Sequence, residues 1–137
     1  MSLKSKRTLL DNVFSQFIRL SQTDINGYGK CISCGQIKAY NDLDCGHYVN
    51  RKHMSLRYSH INCNVQCISC NRFDEGNSAG YSLGLIEKHG IDIIGKLMIA
   101  KTQSKKFTEY EFTELINYYR KLNKELASNK NFKINLK

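Results

Sequence analysis

The sequence predicts an α+β fold in which a small cysteine-rich core lies between an N-terminal helix and a group of C-terminal helices. Three observations predict it. Apolar residues recur at helical spacing near both ends of the chain. Two C-x-x-C pairs lie in the middle, and the segment that they enclose has no helical periodicity. The 137 residues suffice for one domain, which we expect to span 1–137, and are too few for a two-domain enzyme.

Helical periodicity predicts the first element over residues 5–22. Its apolar positions form one stripe and are Leu10, Val13, Phe14, Phe17 and Ile18. The change to Cys, Gly, Asn and Tyr from residue 27 predicts that this helix ends before the core, which we place at 27–77.

Residues 78–128 are expected to form the C-terminal helices. The segment from Ser78 to His89 is predicted to form a helix that ends before Gly90. The segment from Ile91 to about Thr102 is predicted to form a second helix. The third begins with a capping box of Thr108 and Glu111 and continues with one apolar stripe. Residues 129–137 are interpreted as a polar, basic tail.

The charge balance favours a polyanionic partner. The chain has 21 Lys and Arg against 12 Asp and Glu, a formal net charge of +9, so nucleic acid is the leading candidate. No apolar run approaches the roughly 20 residues that cross a membrane. We therefore expect a cytoplasmic protein with no membrane partner, and in that reducing compartment six cysteines favour metal ligation over disulfides.

The two C-x-x-C pairs predict a structural zinc site. Two residues between thiols allow both sulfurs to face one tetrahedral ion, and two pairs complete a Cys₄ shell. The proposed ligands are Cys31, Cys34, Cys67 and Cys70. A redox dithiol is the alternative, but it needs only one pair and usually a thioredoxin-like context.

Two further thiols, Cys45 and Cys63, lie in the loop that the zinc ion would close. They could form a second metal site or a disulfide. Small buried residues in a crowded hairpin are the interpretation that we favour.

The same loop contains Asp44-Cys45-Gly46-His47-Tyr48, with Asn62 five residues before the second cysteine pair and Asn71 directly after it. This order resembles the HNH nuclease pattern. The strings D-C-G-H-Y-V-N-R and N-C-N-V-Q-C-I-S-C-N-R-F resemble more closely the NinG (Rap) recombination proteins of lambdoid phages, over most of residues 8–126.

The resemblance implies a zinc-bearing ββα-metal (HNH, treble-clef-like) core and a structure-selective endonuclease. Its substrates would be branched recombination intermediates such as Holliday junctions and D-loops in a phage-infected or prophage-bearing cell. By resemblance, His47 is the general base and Asn62 orients the loop that carries it. The chemistry agrees, since imidazole titrates near neutral pH and can deprotonate the attacking water.

Phosphodiester hydrolysis also favours a divalent cation, Mg²⁺ or Mn²⁺, with hard oxygen ligands. Asp44 and Asn71 are the candidate ligands, and Asp74 and Asn77 are alternatives. Asp44 could instead cap a turn, and Asn71 could cap a helix beginning near Cys70. The sequence departs from many HNH proteins in having Gly46 before the histidine where an acidic or histidine ligand is common.

A basic patch with a neighbouring aromatic predicts contact with branched or distorted DNA. The expected DNA-binding residues are Arg51, Lys52, His53, Arg57, Tyr58 and Arg72. A second patch of Lys101, Lys105 and Lys106 is expected to attract backbone phosphates nonspecifically. His60 is expected at the solvated surface.

Paired cuts in a two-fold junction would need two active sites, so we expect a homodimer. Its interface would use the first or the last long helix, unless their apolar stripes pack onto the core. Two other functions stay open at this stage. One is an HNH nicking or restriction-type nuclease on duplex DNA, and the other is a non-catalytic zinc-ribbon adaptor for nucleic acid.

Overall fold

The computed structural model describes residues 1–137 as five α-helices and two small antiparallel sheets. The helices are α1 (Leu3–Ser21), α2 (Met54–Arg57), α3 (Ser78–His89), α4 (Ile93–Lys101) and α5 (Glu109–Ser128). The strands are β1 (Tyr28–Lys30), β2 (Ile37–Ala39), β3 (Leu43–His47) and β4 (Cys63–Cys67). The mixed α+β class is confirmed. None of the five helices combines the length and the hydrophobicity that spanning a bilayer would require.

The apolar stripes of α1 and α5 pack against each other and against the β3–β4 sheet. The buried residues of this core are Leu10, Val13, Phe14, Ile18, Leu43, Cys63, Val65, Phe112, Ile116 and Tyr119. Phe14 meets Tyr119 edge to face, with ring centroids 5.1 Å apart. Both stripes are buried within this one chain, which agrees with the alternative that they pack onto its core, and the homodimer stays a prediction.

Strands β3 and β4 form the sheet that carries the predicted histidine. They run antiparallel, with Leu43 opposite Cys67 and His47 opposite Cys63. All five residues of β4 are buried, because α1 covers one face of the sheet and α3 approaches from the other. The second sheet pairs β1 with β2 beside the first cysteine pair.

The helices after the core follow the predicted boundaries closely. α3 ends at Gly90, whose φ of +97° is one that glycine adopts readily, and α5 begins with the complete capping box of Thr108 and Glu111. α4 begins at Ile93, two residues later than expected. The predicted helix near Cys70 is a single turn, Ser69–Phe73, of wide π-type geometry.

Residues 129–137 form no helix or strand, but they lie against the body of the protein. The Phe132 ring packs on Tyr40 with centroids 5.5 Å apart. Buried Gln16 donates to the Asn135 carbonyl and accepts from the Lys137 backbone N–H. The predicted basic tail is therefore a strap packed across α1.

Candidate functional site

The four cysteines of the two C-x-x-C pairs lie together. Their four Sγ atoms all lie within 4.8 Å of one another, and Cys34 Sγ is 3.8 Å from Cys67 Sγ. Although burial works against the thiolate, backbone N–H groups donate to Cys31 and lower its pKa to about 7. The cluster could hold a zinc ion, for which clustered thiolates are suitable ligands.

A polar cleft of about 650 Å³ contains most of the predicted site. Its lining residues are Ser15, Asp44, Cys45, His47, Asn50, Arg51, Lys52, Arg57, Asn71 and Arg72. Sequence reasoning did not single out Ser15 or Asn50 as site residues. Ser15 comes from the polar side of α1, and nothing local in the sequence indicates that α1 borders the cleft.

His47 ends β3 at the wall of the cleft. Its Nε2 lies 2.9 Å from the backbone carbonyl oxygen of Arg57. Because a carbonyl only accepts, Nε2 carries the hydrogen and Nδ1 of the neutral ring keeps its lone pair. Burial lowers the pKa of His47, and the charges of Arg51 and Arg57 act in the same direction. The ring is therefore a neutral proton acceptor at neutral pH.

Asn62 is completely buried and binds the segment that follows His47. Its Oδ1 accepts from the Val49 N–H at 2.8 Å, and its Nδ2 donates to the carbonyls of Val49 and Leu56. The Asn62 backbone carbonyl accepts from the N–H of Tyr48. These bonds connect both sides of the loop between β3 and β4, which is the geometry that a positioning residue requires.

Asp44 contacts two other predicted residues. Nδ2 of Asn71 donates to its carboxylate at 2.9 Å, and Arg72 forms a two-pronged pair with it at 2.8 and 2.9 Å. Burial works against the charged carboxylate, but the hydrogen bonds from Arg72 and Asn71 hold the pKa of Asp44 below its ordinary value. The Asp44 carboxylate and the Asn71 amide thus lie together at one edge of the cleft, with the amide nitrogen facing the carboxylate.

The alternative oxygen ligands have other positions. Asn77 is the N-cap of α3, accepting from the Gly80 N–H, and its Nδ2 contacts Cys70 Sγ. Asp74 is exposed and is not among the cleft residues.

Arg57 and Tyr58 are bound within the protein. The Arg57 guanidinium makes two bonds to Asp11 on α1, at 2.8 and 2.6 Å, and the Tyr58 hydroxyl donates to the same carboxylate. The Tyr58 ring packs against Phe14 and Phe107. These contacts give both residues a structural role, which the sequence did not predict because Asp11 is 46 positions from Arg57.

The other cations of the predicted patch are accessible. Arg51 and Lys52 are exposed on the turn after β3, where Asn50 Oδ1 accepts from the Lys52 N–H. His53, half-buried, lies with Lys52 and Lys101 along an adjoining depression of about 390 Å³. His60 is exposed as expected, and its Nε2 is 2.7 Å from the Tyr119 hydroxyl.

Packing against Gln66 explains why position 46 is a glycine. A Cβ built there would lie 2.0 Å from Oε1 of Gln66, so no larger residue fits without moving that side chain. Gly46 lies on the same face of the sheet as Asp44, because alternate residues of a strand share a face.

Cys45 and Cys63 are free thiols on the sheet face that carries His47. Cys63 is fully buried, and burial raises the pKa of its thiol well above the ordinary value. The two residues lie in the paired strands β3 and β4.

Comparisons with known proteins give one family. A family model described as Bacteriophage Lambda NinG protein matches residues 2–129. Protein ninG of Salmonella phage P22 is 31% identical over 91 residues, which are 61% of this chain and 44% of the relative. Protein ninG of Escherichia phage lambda is 29% identical over 91 residues, with the same shares. The match thus spans less than half the length of these relatives, and no solved structure gives a significant match.

Proposed function

The chain belongs to the NinG family of bacteriophage proteins, and from this premise we propose that it is a metal-dependent, structure-selective DNA endonuclease. Its substrates would be branched recombination intermediates, Holliday junctions and D-loops among them. The observation that carries the proposal is the cleft, where a neutral histidine, two oxygen-bearing side chains and exposed arginines lie together.

The proposed chemistry begins at Nδ1 of His47. With Nε2 bound to the Arg57 carbonyl, this atom takes the proton from a water that attacks the phosphorus. Asn62 holds the segment after His47 and is the positioning residue. Arg51 and Arg72 line the same cleft and would neutralise the phosphate oxygens.

Asp44 and Asn71 would hold the catalytic cation. A carboxylate and an amide offer hard oxygen atoms, which fit Mg²⁺ or Mn²⁺. The cation would supply charge stabilisation at the phosphate and at the leaving 3′ oxygen. Arg72 pairs with Asp44, so the carboxylate would have to leave that pair in order to bind metal.

The Cys₄ cluster would hold a structural zinc ion. In this proposal, zinc joins the residues after β1 to the end of β4 and fixes the sheet that carries His47. The β3–β4 hairpin followed by a helical turn is compatible with the ββα-metal arrangement. A homodimer remains part of the proposal, with an interface outside the buried faces of α1 and α5.

The test compares cleavage of a labelled four-way junction and a linear duplex of the same arm sequence, with Mg²⁺ and with Mn²⁺. The proteins are wild type, His47→Ala and the control His89→Ala, which removes an exposed histidine outside the cleft. We expect wild type and the control to cut the junction in preference, and His47→Ala to bind without cutting.

Other outcomes would contradict particular parts of the proposed function. Equal cutting of both substrates would indicate a general nicking or restriction-type nuclease. Binding by wild type without cleavage in either metal would indicate a zinc-ribbon adaptor. Cleavage that survives His47→Ala would move the general base elsewhere, with His53 as the next candidate.

A further inference from the structure

The sheet face that carries His47 also carries two thiols, separate from the Cys₄ cluster. Cys45 precedes His47 by two residues in β3, and Cys63 lies directly opposite His47 in β4. One ligand atom from each of the three residues lies within 4.8 Å of the other two. Neither thiol is in a disulfide.

This set has the chemistry of a soft-metal site. Thiolate sulfur and imidazole nitrogen are preferred zinc ligands, and in a tetrahedral site such atoms are about 3.5–3.8 Å apart. Side-chain rotations that move the ligand atoms by about 1 Å would close the set to this spacing. No backbone rearrangement is needed, because β3 and β4 already place the three side chains together.

The hydrogen bond that His47 makes is also typical of a metal-binding histidine. Histidines that bind metals usually donate their other ring N–H to a carbonyl or carboxylate, which fixes the ring. Nε2 of His47 has such a partner in the Arg57 carbonyl at 2.9 Å, so Nδ1 would be the ligand atom. Cys63 Sγ is 3.5 Å from the same carbonyl, so one backbone group contacts two members of the set.

We propose that Cys45, His47 and Cys63 form a second metal site, which binds Zn²⁺ through three protein ligands and leaves one position open. Cys45 and His47 line the cleft together with Arg51 and Arg72, so the open position would be accessible from the cleft. A water molecule or a phosphate oxygen would occupy it. Three ligands with one open position distinguish this site from the closed Cys₄ cluster.

One consequence rests on the proposed function. Zinc at this site would take the His47 nitrogen that is assigned to the attacking water. Zinc binding and the general-base role therefore exclude each other, and Zn²⁺ would inhibit cleavage that Mg²⁺ supports.

The first experiment counts zinc per chain by elemental analysis of protein purified under reducing conditions and equilibrated with Zn²⁺. We expect two equivalents in wild type and one in Cys45→Ala and in Cys63→Val, which keeps an apolar side chain at the buried position. The control His89→Ala should keep two. Substitution with Co²⁺ gives a second reading, since loss of a thiolate ligand alters the sulfur-to-cobalt absorption.

One zinc ion in folded wild type would overturn the proposal, as would an unchanged count in both cysteine variants. A reduced Cys45–Cys63 pair that becomes a disulfide in place of binding zinc, detected as a mass lower by two hydrogens, would also overturn it. Circular dichroism of each variant checks the fold.

The zinc count requires no nuclease activity, so the two proposals fail separately. One zinc with Mg²⁺-dependent cleavage would remove this inference alone. Two zinc ions without cleavage would remove the proposed function alone. If both hold, added Zn²⁺ should inhibit wild type at least tenfold more strongly than Cys45→Ala.

Discussion

The backbone carbonyl of Arg57 accepts a hydrogen bond from Nε2 of His47, and the side chain of the same Arg57 is bound to Asp11 on the first helix. The first helix thus holds the residue whose backbone carbonyl orients the histidine. The Asp11–Arg57 pair is mostly shielded, with side chains only 19% and 13% exposed.

Asp11→Ala should therefore destabilise the protein and disturb His47. The change leaves the Arg57 guanidinium and the Tyr58 hydroxyl without their acceptor, and we expect a loss of about 2 kcal/mol in the free energy of unfolding. Urea denaturation measures it. Asp92→Ala, at an exposed carboxylate with no ion pair, is the control, and equal losses in the two variants would contradict the assigned role.

Two glycine-to-alanine changes should have opposite signs. Gly46→Ala forces Gln66 to move and should cost roughly 1–3 kcal/mol of stability. Gly95→Ala, inside α4 with open space around it, should stabilise by about 0.5–1 kcal/mol because alanine favours the helix. Thermal melts of both variants check the signs, and a neutral Gly46→Ala would refute the packing argument.

Asn62→Ala should be among the most damaging single changes. It removes three buried hydrogen bonds and takes from the N–H and carbonyl of Val49 the partner that they share, at a cost on the order of 3 kcal/mol. Asn117→Ala changes an exposed asparagine of α5 and serves as the matched control. Equilibrium unfolding of the Asn62→Ala and Asn117→Ala variants measures the loss of stability in each.

Stability should fall at alkaline pH because of buried phenols. Burial raises the pKa of Tyr119 to about 12, and that of Tyr81 well above its ordinary value. Below about pH 10 both folded and unfolded chains keep these protons; above it the unfolded chain loses them first, so the free energy of unfolding decreases. Tyr81→Phe should show a shallower decrease between pH 10 and 12. Tyr110→Phe, at an exposed position, controls for the lost chromophore.

The exposed turn after β3 should dominate DNA affinity if the proposed function holds. Removing Arg51 and Lys52 together should reduce the slope of log affinity against log salt by about 1–2, since each phosphate contact contributes about 0.9 for duplex DNA. Fluorescence anisotropy over a salt series measures the slope. The variant with Lys121→Ala and Lys124→Ala loses the same charge on α5, and an equal effect there would mean that net charge alone matters.

Local signals in the sequence predicted the helices after the core well. The capping box at Thr108 and the glycine at position 90 determine helix ends through neighbouring atoms, so a short window suffices. The cysteine spacing likewise predicted that four thiols meet. The strands were not located, because three to five residues carry too little periodicity.

Local sequence patterns could not predict contacts between residues that are far apart in the chain. The sequence assigned Arg57 and Tyr58 to DNA because a basic residue beside an aromatic is typical of such surfaces, whereas Asp11 engages both. It also left open whether the apolar stripes of α1 and α5 meet another chain. Their burial against each other depends on Phe14 and Tyr119, which no local pattern connects.

The pairing of α1 with α5 has a consequence for synthesis of the chain. Phe14 leaves the ribosome long before Tyr119, and at roughly 5–20 residues per second the interval is on the order of 5–20 s. During that time the apolar side of α1 lacks its partner and is open to chaperones or to premature association with other nascent chains. Slow codons near the end of α5 would prolong this exposure, so the yield of folded protein should depend on elongation rate in that region.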